Sequence, residues 1–186
     1  MKRLIYSFII TLFFIQNLSA QEYNASKFGC ISDGITNNTT AIQYAIDFIS
    51  AKGGGKLNFY VGRYVTGSLQ LKSNVTIELH EGAVLLASPN PNDYTPLKGE
   101  RALLIGDSVQ HVHLTGKGVI EFQPQAMTSF IEKINKAGIL SYAIEQQPAS
   151  IALIHVEDVK VDSILISKNV NSAINRHLPS PCPTEA

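Results

Sequence analysis

The sequence predicts an all-β fold: a right-handed parallel β-helix with an N-terminal capping helix and one helical insertion. Three observations lead there. Short runs of alternating apolar residues, such as "VTIEL" at 75–79 and "VHLTG" at 112–116, read as strands. Gly62, Gly67, Asn74 and Gly82 fall at their ends, where the chain must bend. A looser copy of one strand-turn-strand unit recurs further on, as stacked coils require. No Asn-Gly or Asp-Gly pair joins two of these strands, so a meander of tight hairpins is disfavoured.

In chain order, the first element is Lys2 and Arg3 followed by an apolar run from Leu4 to Ile15 and the small residues Ser19 and Ala20. That order predicts a signal peptide over 1–20, cleaved after Ala20. As a helix the run rises only about 18 Å, short of the ~30 Å hydrocarbon core that an anchor must cross. Export to the periplasm or the extracellular space is the expectation. One partial β-helix domain over 21–170 and an irregular Pro-rich tail over 171–186 complete the predicted organisation.

The segment "NTTAIQYAIDFISAKGGG" carries a helix signature. Thr40 and Gln43 have capping-box spacing, Ile42, Ala45, Ile46 and Ile49 share one face, and Gly53 to Gly55 stop the helix. A short one-sided helix needs an apolar surface to cover. The strands "KLNFYV", "RYVTG", "SLQL", "VTIELHEG" and "AVLLAS" supply it.

"HVHLTGKGVIEF" at 111–122 and "EDVKVDSILIS" at 157–167 repeat the pattern, which makes Val75, Val112 and Val159 equivalent. Their unequal separations imply that each step holds more than one coil or an insertion. One insertion lies at 124–148, where Met127, Phe130, Ile131 and Ile134 have helical spacing and Gly138 ends the run. A surface helix leaning on the solenoid explains these residues more simply than a cofactor box.

Lys plus Arg and Asp plus Glu number 15 each, and neither sign clusters, which argues against nucleic-acid and membrane partners. Two cysteines cannot make a disulfide framework. Cys30, placed in a strand by its neighbours, and Cys182, in the tail, are not expected to pair. His111 and His113 stand at i and i+2 on one strand, a spacing open to zinc, but no local motif supplies a third ligand. Nucleophile-elbow, phosphate-loop and CxxC patterns are missing, and no cofactor is expected.

"FG" at 28–29, "DG" at 33–34, "NTTAIQYAID" at 38–47, "GGG" at 53–55, "GRYVTGSLQLKSNVTIELHEGAVLLAS" at 62–88 and "DY" at 93–94 resemble the N-terminal portion of glycoside hydrolase family 28, the polygalacturonases. The resemblance runs from about Phe28 to Gly118. Tyr60 stands where that family usually has Pro, Cys30 where it has Ala, and "VIEFQ" where it tends to Ile-Asp-Gly-Gly. It implies a pectin lyase-like β-helix and inverting hydrolysis of galacturonan-type chains, in which carboxyl groups about 6.5–9.5 Å apart protonate the leaving oxygen and activate water.

The family's active-site segments, Asn-Thr-Asp, Asp-Asp, Gly-His-Gly and Arg-Ile-Lys, do not occur in this sequence. Glu157-Asp158 is the nearest imitation, but it reads as solvated acids on a turn entering a strand. The expectation is therefore the N-terminal fragment of an exported pectin-degrading glycoside hydrolase without its catalytic coils, and no residue is assigned a catalytic, cofactor-binding or metal role. Galacturonan is the implied partner, and self-association is expected through apolar residues of the last coil, near Ile164 and Ile166. A non-catalytic polysaccharide-binding β-helix and a pectate lyase-like protein stay open as alternatives.

Overall fold

The computed structural model describes residues 21–97, 100–138, 148–168 and 174–177. The expected signal peptide, Cys182 and most of the tail lie outside the described residues. Within them the chain winds through five coils. The first holds β1 (Glu22–Asn24), β2 (Asp33–Asn37) and α1 (Thr39–Ala51), and the second β3 (Gly55–Phe59), β4 (Gly62–Thr66) and β5 (Leu69–Gln70). The third holds β6 (Val75–Leu79), β7 (Ala83–Ala87), the short β8 (Pro96–Leu97) and β9 (Glu100–Asp107). The fourth holds β10 (Gln110–Gly116), β11 (Val119–Glu121), α2 (Pro124–Lys136) and β12 (Ala149–Ile154), and the fifth β13 (Glu157–Val161), β14 (Leu165–Ser167) and β15 (Ile174–His177).

Three parallel sheets run the length of the stack, in the orders β1-β3-β6-β10-β13, β2-β4-β7-β11-β14 and β5-β9-β12-β15. Among the described residues only β8 pairs antiparallel, with β9. Parallel crossovers of this kind wind right-handed, and the architecture is the right-handed parallel β-helix that the sequence predicts.

The register turns sequence alternation into columns of stacked side chains. Leu57 pairs with Ile77, Ile77 with Leu114 and Leu114 with Val161, one residue per coil on one sheet. Tyr64, Leu85, Ile120 and Ile166 form the matching column on the second sheet. In the inner coils each inward residue is apolar because it faces its counterparts above and below, away from water. Burying such a side chain contributes about 1.5–3 kcal/mol.

Val112 pairs directly with Val159, and the partners of β10 place Val75 in the same column, so the predicted equivalence holds. The unequal steps resolve into single coils. Gly55 pairs with Val75, twenty positions on, which is the bare coil. The step to Val112 is lengthened by the turn at Pro91–Asp93 and by β8, an insertion the sequence reading did not locate. The step to Val159 is lengthened by the predicted helix, here α2, which buries Met127 and Ile131 and leaves Phe130 and Ile134 half-buried.

α1 takes the place that a third-sheet strand would fill in the first coil, and it buries the predicted face of Ile42, Ala45, Ile46 and Ile49 completely. The capping box is not formed. Asn38, not Thr40, occupies the cap position, and its side chain makes no cap hydrogen bond. Thr40 is an exposed residue of the first turn, and Gln43 is committed elsewhere. The helix ends at Gly53 and Gly54, the latter with φ of 116° and so close to Asn74 that a Cβ would lie 2.5 Å from its carbonyl oxygen.

Cys30 is not in a strand. It follows the 3-10 turn Ala25–Phe28 as irregular chain, accepted there because its amide reaches the Ala25 carbonyl. Burial pushes its thiol up to about 11, so it behaves as a small core residue and is a poor nucleophile at neutral pH.

Candidate functional site

Several residues of the polygalacturonase-like signature have structural tasks that the geometry spells out. The Asn38 side chain is buried and knits the 31–38 loop: its Oδ1 accepts the Ile31 N–H at 2.7 Å, and its Nδ2 donates to the carbonyls of Ile31 and Thr36 at 2.9 and 2.8 Å. Thr39 Oγ1 accepts the Gly67 N–H at 2.7 Å. Gln43 acts as a surrogate strand: its Oε1 accepts the Gln70 N–H at 2.7 Å and its Nε2 donates to the Gln70 carbonyl at 3.0 Å. Two backbone groups on the edge of β5 are thereby satisfied by one side chain.

Gly67 is required by a close approach. A Cβ there would lie 2.0 Å from the carbonyl oxygen of Asp93, which in turn accepts the Ser68 N–H at 2.9 Å. Asp93 also gathers Asn37, Asn90 and Ser88, and the Tyr94 hydroxyl donates to the Ser88 carbonyl at 2.6 Å. The "DY" pair thus locks the Pro91–Asp93 turn onto the corner of the second coil.

Between α1 and the third sheet this scaffold leaves a groove. Two cavities of about 440 and 410 Å³ open there, the first between α1 and β5 and the second at the turns that follow β5 and β9, both lined by Gln70. Thr40, Tyr44, Asp47 and Thr95 border the first, and Lys72, Ser73 and Asp107 border the second. Tyr44 is 61% exposed, yet its ring is held by Phe28 at 6.1 Å, edge to face, and by Phe48 at 6.4 Å. A fixed aromatic face beside hydroxyl, amide and carboxylate groups is chemistry suited to a sugar ring, which presents C–H groups on one face and hydroxyls at its rim. Sequence reasoning missed this groove. Its one visible sign was an aromatic residue on the polar side of an amphipathic helix.

The histidines and acids singled out by the sequence lie where the chain passes from the third sheet to the first, just beyond the second cavity. Asn74, His111 and Asp158 each precede the aligned valine of their coil and have left-handed φ of 63°, 52° and 49°. His111 is consequently at a bend and does not share a regular strand face with His113. The two meet all the same through a residue from the next coil: Asp158 Oδ2 lies 2.7 Å from His111 Nδ1 and 4.0 Å from His113 Nε2. The sequence predicts a merely solvated Asp158; the side chain is exposed but paired. The His111 hydrogen bond holds its carboxyl below the ordinary Asp range, aided by the charges of His111, His113 and Lys160. Glu157 is exposed where the chain enters β13. Among the described residues no three His, Cys, Asp or Glu side chains are grouped to hold a metal ion.

Comparison with known proteins places this geometry. No family model matches the chain. A Parabacteroides merdae protein whose crystal structure carries the provisional description glycosyl hydrolase is 39% identical, superposes with a TM-score of 0.74, and matches over 83% of this chain and 68% of its own. The chain belongs to the polygalacturonase-like β-helix proteins. An exo-poly-α-D-galacturonosidase of Dickeya chrysanthemi is 44% identical over 71 residues, 38% of this chain. A Vitis vinifera protein named as a polygalacturonase is 29% identical over 87% of this chain. This polygalacturonase-like chain spans 12% and 36% of the lengths of those two relatives.

Proposed function

We propose that the chain forms the N-terminal coils of an exported pectin-degrading glycoside hydrolase whose substrate is a galacturonan-type polysaccharide. The observation that carries this reading is the likeness to the P. merdae glycosyl hydrolase, which extends over most of both chains. The galacturonosidase and polygalacturonase relatives narrow the substrate class. In this reading residues 1–20 are the export signal, 21–170 the coils and 171–186 a tail. The coils described here position a saccharide, and the acids that cleave it belong to coils outside this sequence, because the family's Asn-Thr-Asp and Asp-Asp segments do not occur in it.

A second reading, polysaccharide binding without cleavage, is favoured by the groove beside α1, which needs no further coil to be complete. One assay separates the two. The purified chain should release no reducing ends from polygalacturonate, and a form extended by the acidic segments of the family should. Hydrolysis by the chain itself that disappears in Glu157→Gln or Asp158→Asn contradicts the assignment of catalysis to other coils.

Self-association belongs to the same proposal. Val161 and Leu165 are 36% and 62% exposed, and β13 and β14 end their sheets among the described strands. An uncovered strand edge with apolar neighbours recruits another strand. Sedimentation should show concentration-dependent association at tens of micromolar, and a compact monomer throughout contradicts it.

A further inference from the structure

The groove between α1 and β5 has a charge pattern that does not match a polyuronate. Asp47 stands in its first cavity and Asp107 in its second, and among the described residues Lys72, in the second, is the one cation on the lining of either. A chain of free galacturonates laid along it meets the Asp47 carboxylate at the first station, whereas at the second Asp107 is accompanied by Lys72 and lies 3.7 Å from His155 Nδ1. Like charges at such contacts oppose binding unless a cation intervenes. A chain of uncharged pyranosides meets none of that opposition and can use the same carboxylates as hydrogen-bond acceptors for its hydroxyls.

The remaining lining fits such a ligand. The hydroxyls of Thr39 and Ser68 are already spent, on the Gly67 N–H and on the Ala102 carbonyl at 2.6 Å, which fixes the floor. Thr40, Tyr44, Gln70 and Thr95 are exposed along it. One oxygen of Asp47 accepts Gln43 Nε2 at 3.0 Å, which aims the carboxylate and leaves its second oxygen for a ligand. Each cavity lies within the roughly 300–1,000 Å³ range of small-molecule sites, and both are lined by Gln70.

From this we propose that the groove is a subsite for an uncharged pyranoside chain, with Tyr44 stacking on a sugar face, Asp47 and Gln70 receiving its hydroxyls, and Asp47 excluding free uronates. In a pectin context that chemistry has two sources: methyl-esterified galacturonan and the neutral galactan side chains. The inference rests on the proposed function only for the choice of these two probes.

The test is amide chemical-shift titration of the full chain with a β-1,4-galactan tetrasaccharide, a fully methyl-esterified oligogalacturonate and the same oligogalacturonate de-esterified. At least one uncharged probe should shift the amides of Thr40, Tyr44, Gln70 and Ser73, and the de-esterified probe should bind there about tenfold more weakly or worse. The arm that binds identifies the source. Asp47→Asn should narrow the gap between the esterified and de-esterified probes, and Tyr44→Ala should abolish groove shifts. Gln70→Ala should weaken them while the spectrum stays folded, which guards against a Tyr44 variant that merely loosens α1. Groove shifts that favour the de-esterified probe, or no groove shifts with any uncharged probe, overturn the inference. De-esterified probe bound elsewhere on the sheets leaves the proposed function standing while this inference falls. Uncharged probe bound in the groove with no galacturonate contact anywhere does the reverse.

Discussion

At one end of the stack the backbone of Gln70 has both its N–H and its carbonyl taken by the Gln43 side chain, and the Ser73 carbonyl is met by Ser50 Oγ at 3.1 Å. At the other end β13 and β14 are the outermost described strands of their sheets, with Val159, Ile164 and Ile166 only partly buried against the core. The same coil geometry therefore has a finished face and an unfinished one. α1 finishes the first by burying four apolar residues and replacing strand pairing with side-chain hydrogen bonds. What the fifth coil adds is contact with the fourth, by strand pairing and by the His111–Asp158 and Lys168–Glu121 ties. A solenoid derives each coil's stability from its neighbours, so a coil with one neighbour holds about half the interfaces of an inner coil.

The largest expected effect breaks the finished face. Ile46→Asp places a charge where the side chain is fully buried and should cost more than about 4 kcal/mol, enough to unfold a marginal domain. Ile166→Asp, at a half-buried site in the fifth coil, should lower Tm by much less. Equal losses would mean that the two ends are equally sealed.

Next is the surrogate strand. Gln43→Ala removes both bonds to Gln70 and should cost about 1–2 kcal/mol by chemical denaturation. Thr40→Ala, on the same turn, should change stability by less than about 0.5 kcal/mol, because Thr40 caps nothing. A larger loss at Thr40 than at Gln43 would restore the capping box.

The smallest effect tests the tie across coils on the second sheet. Glu121 receives Lys168 Nζ at 2.7 Å from the fifth coil and Arg63 Nη2 at 2.9 Å from the second. The Lys168 hydrogen bond, followed by those from and the charge of Arg63, holds the Glu121 carboxyl below the ordinary Glu range against the opposing pull of partial burial. A depressed folded value contributes stability above the ordinary Glu pKa, and that contribution is lost as pH falls through the folded value. Glu121→Gln should thus lower Tm at pH 7 by an amount worth at most about 1 kcal/mol for so accessible a pair. As pH falls from the ordinary Glu range through that depressed folded value the two proteins should converge. A constant difference across that range contradicts the ionic origin of the tie.

How legible this was in the sequence follows from what each feature depends on. The buried face of α1 and the Val75, Val112 and Val159 column were readable because periodicity encodes which side of an element faces the core. The strands of the second coil were read as strands, but not as the twenty-residue unit against which the longer steps should be measured. Thr40 and Gln43 misled because a capping box depends on local spacing, whereas Gln43 is claimed by a strand edge 27 positions away. Asp158 reaches His111 across 47 positions, a contact set by coil register that local spacing does not reveal. The groove depends on the distance between a helix and a sheet, and so only Tyr44, an aromatic on the wrong face, hinted at it.

Native-state hydrogen exchange tests the difference between the two ends most directly, since it reads each coil separately in one sample. Amides of β3 and β4, such as those of Leu57 and Tyr64, should exchange only by global unfolding. Those of β13 and β14, such as Val159 and Ile166, should exchange about a hundredfold faster or more, through local opening of the fifth coil. Equal protection at the two ends, in a protein shown to be monomeric under the same conditions, would contradict the account.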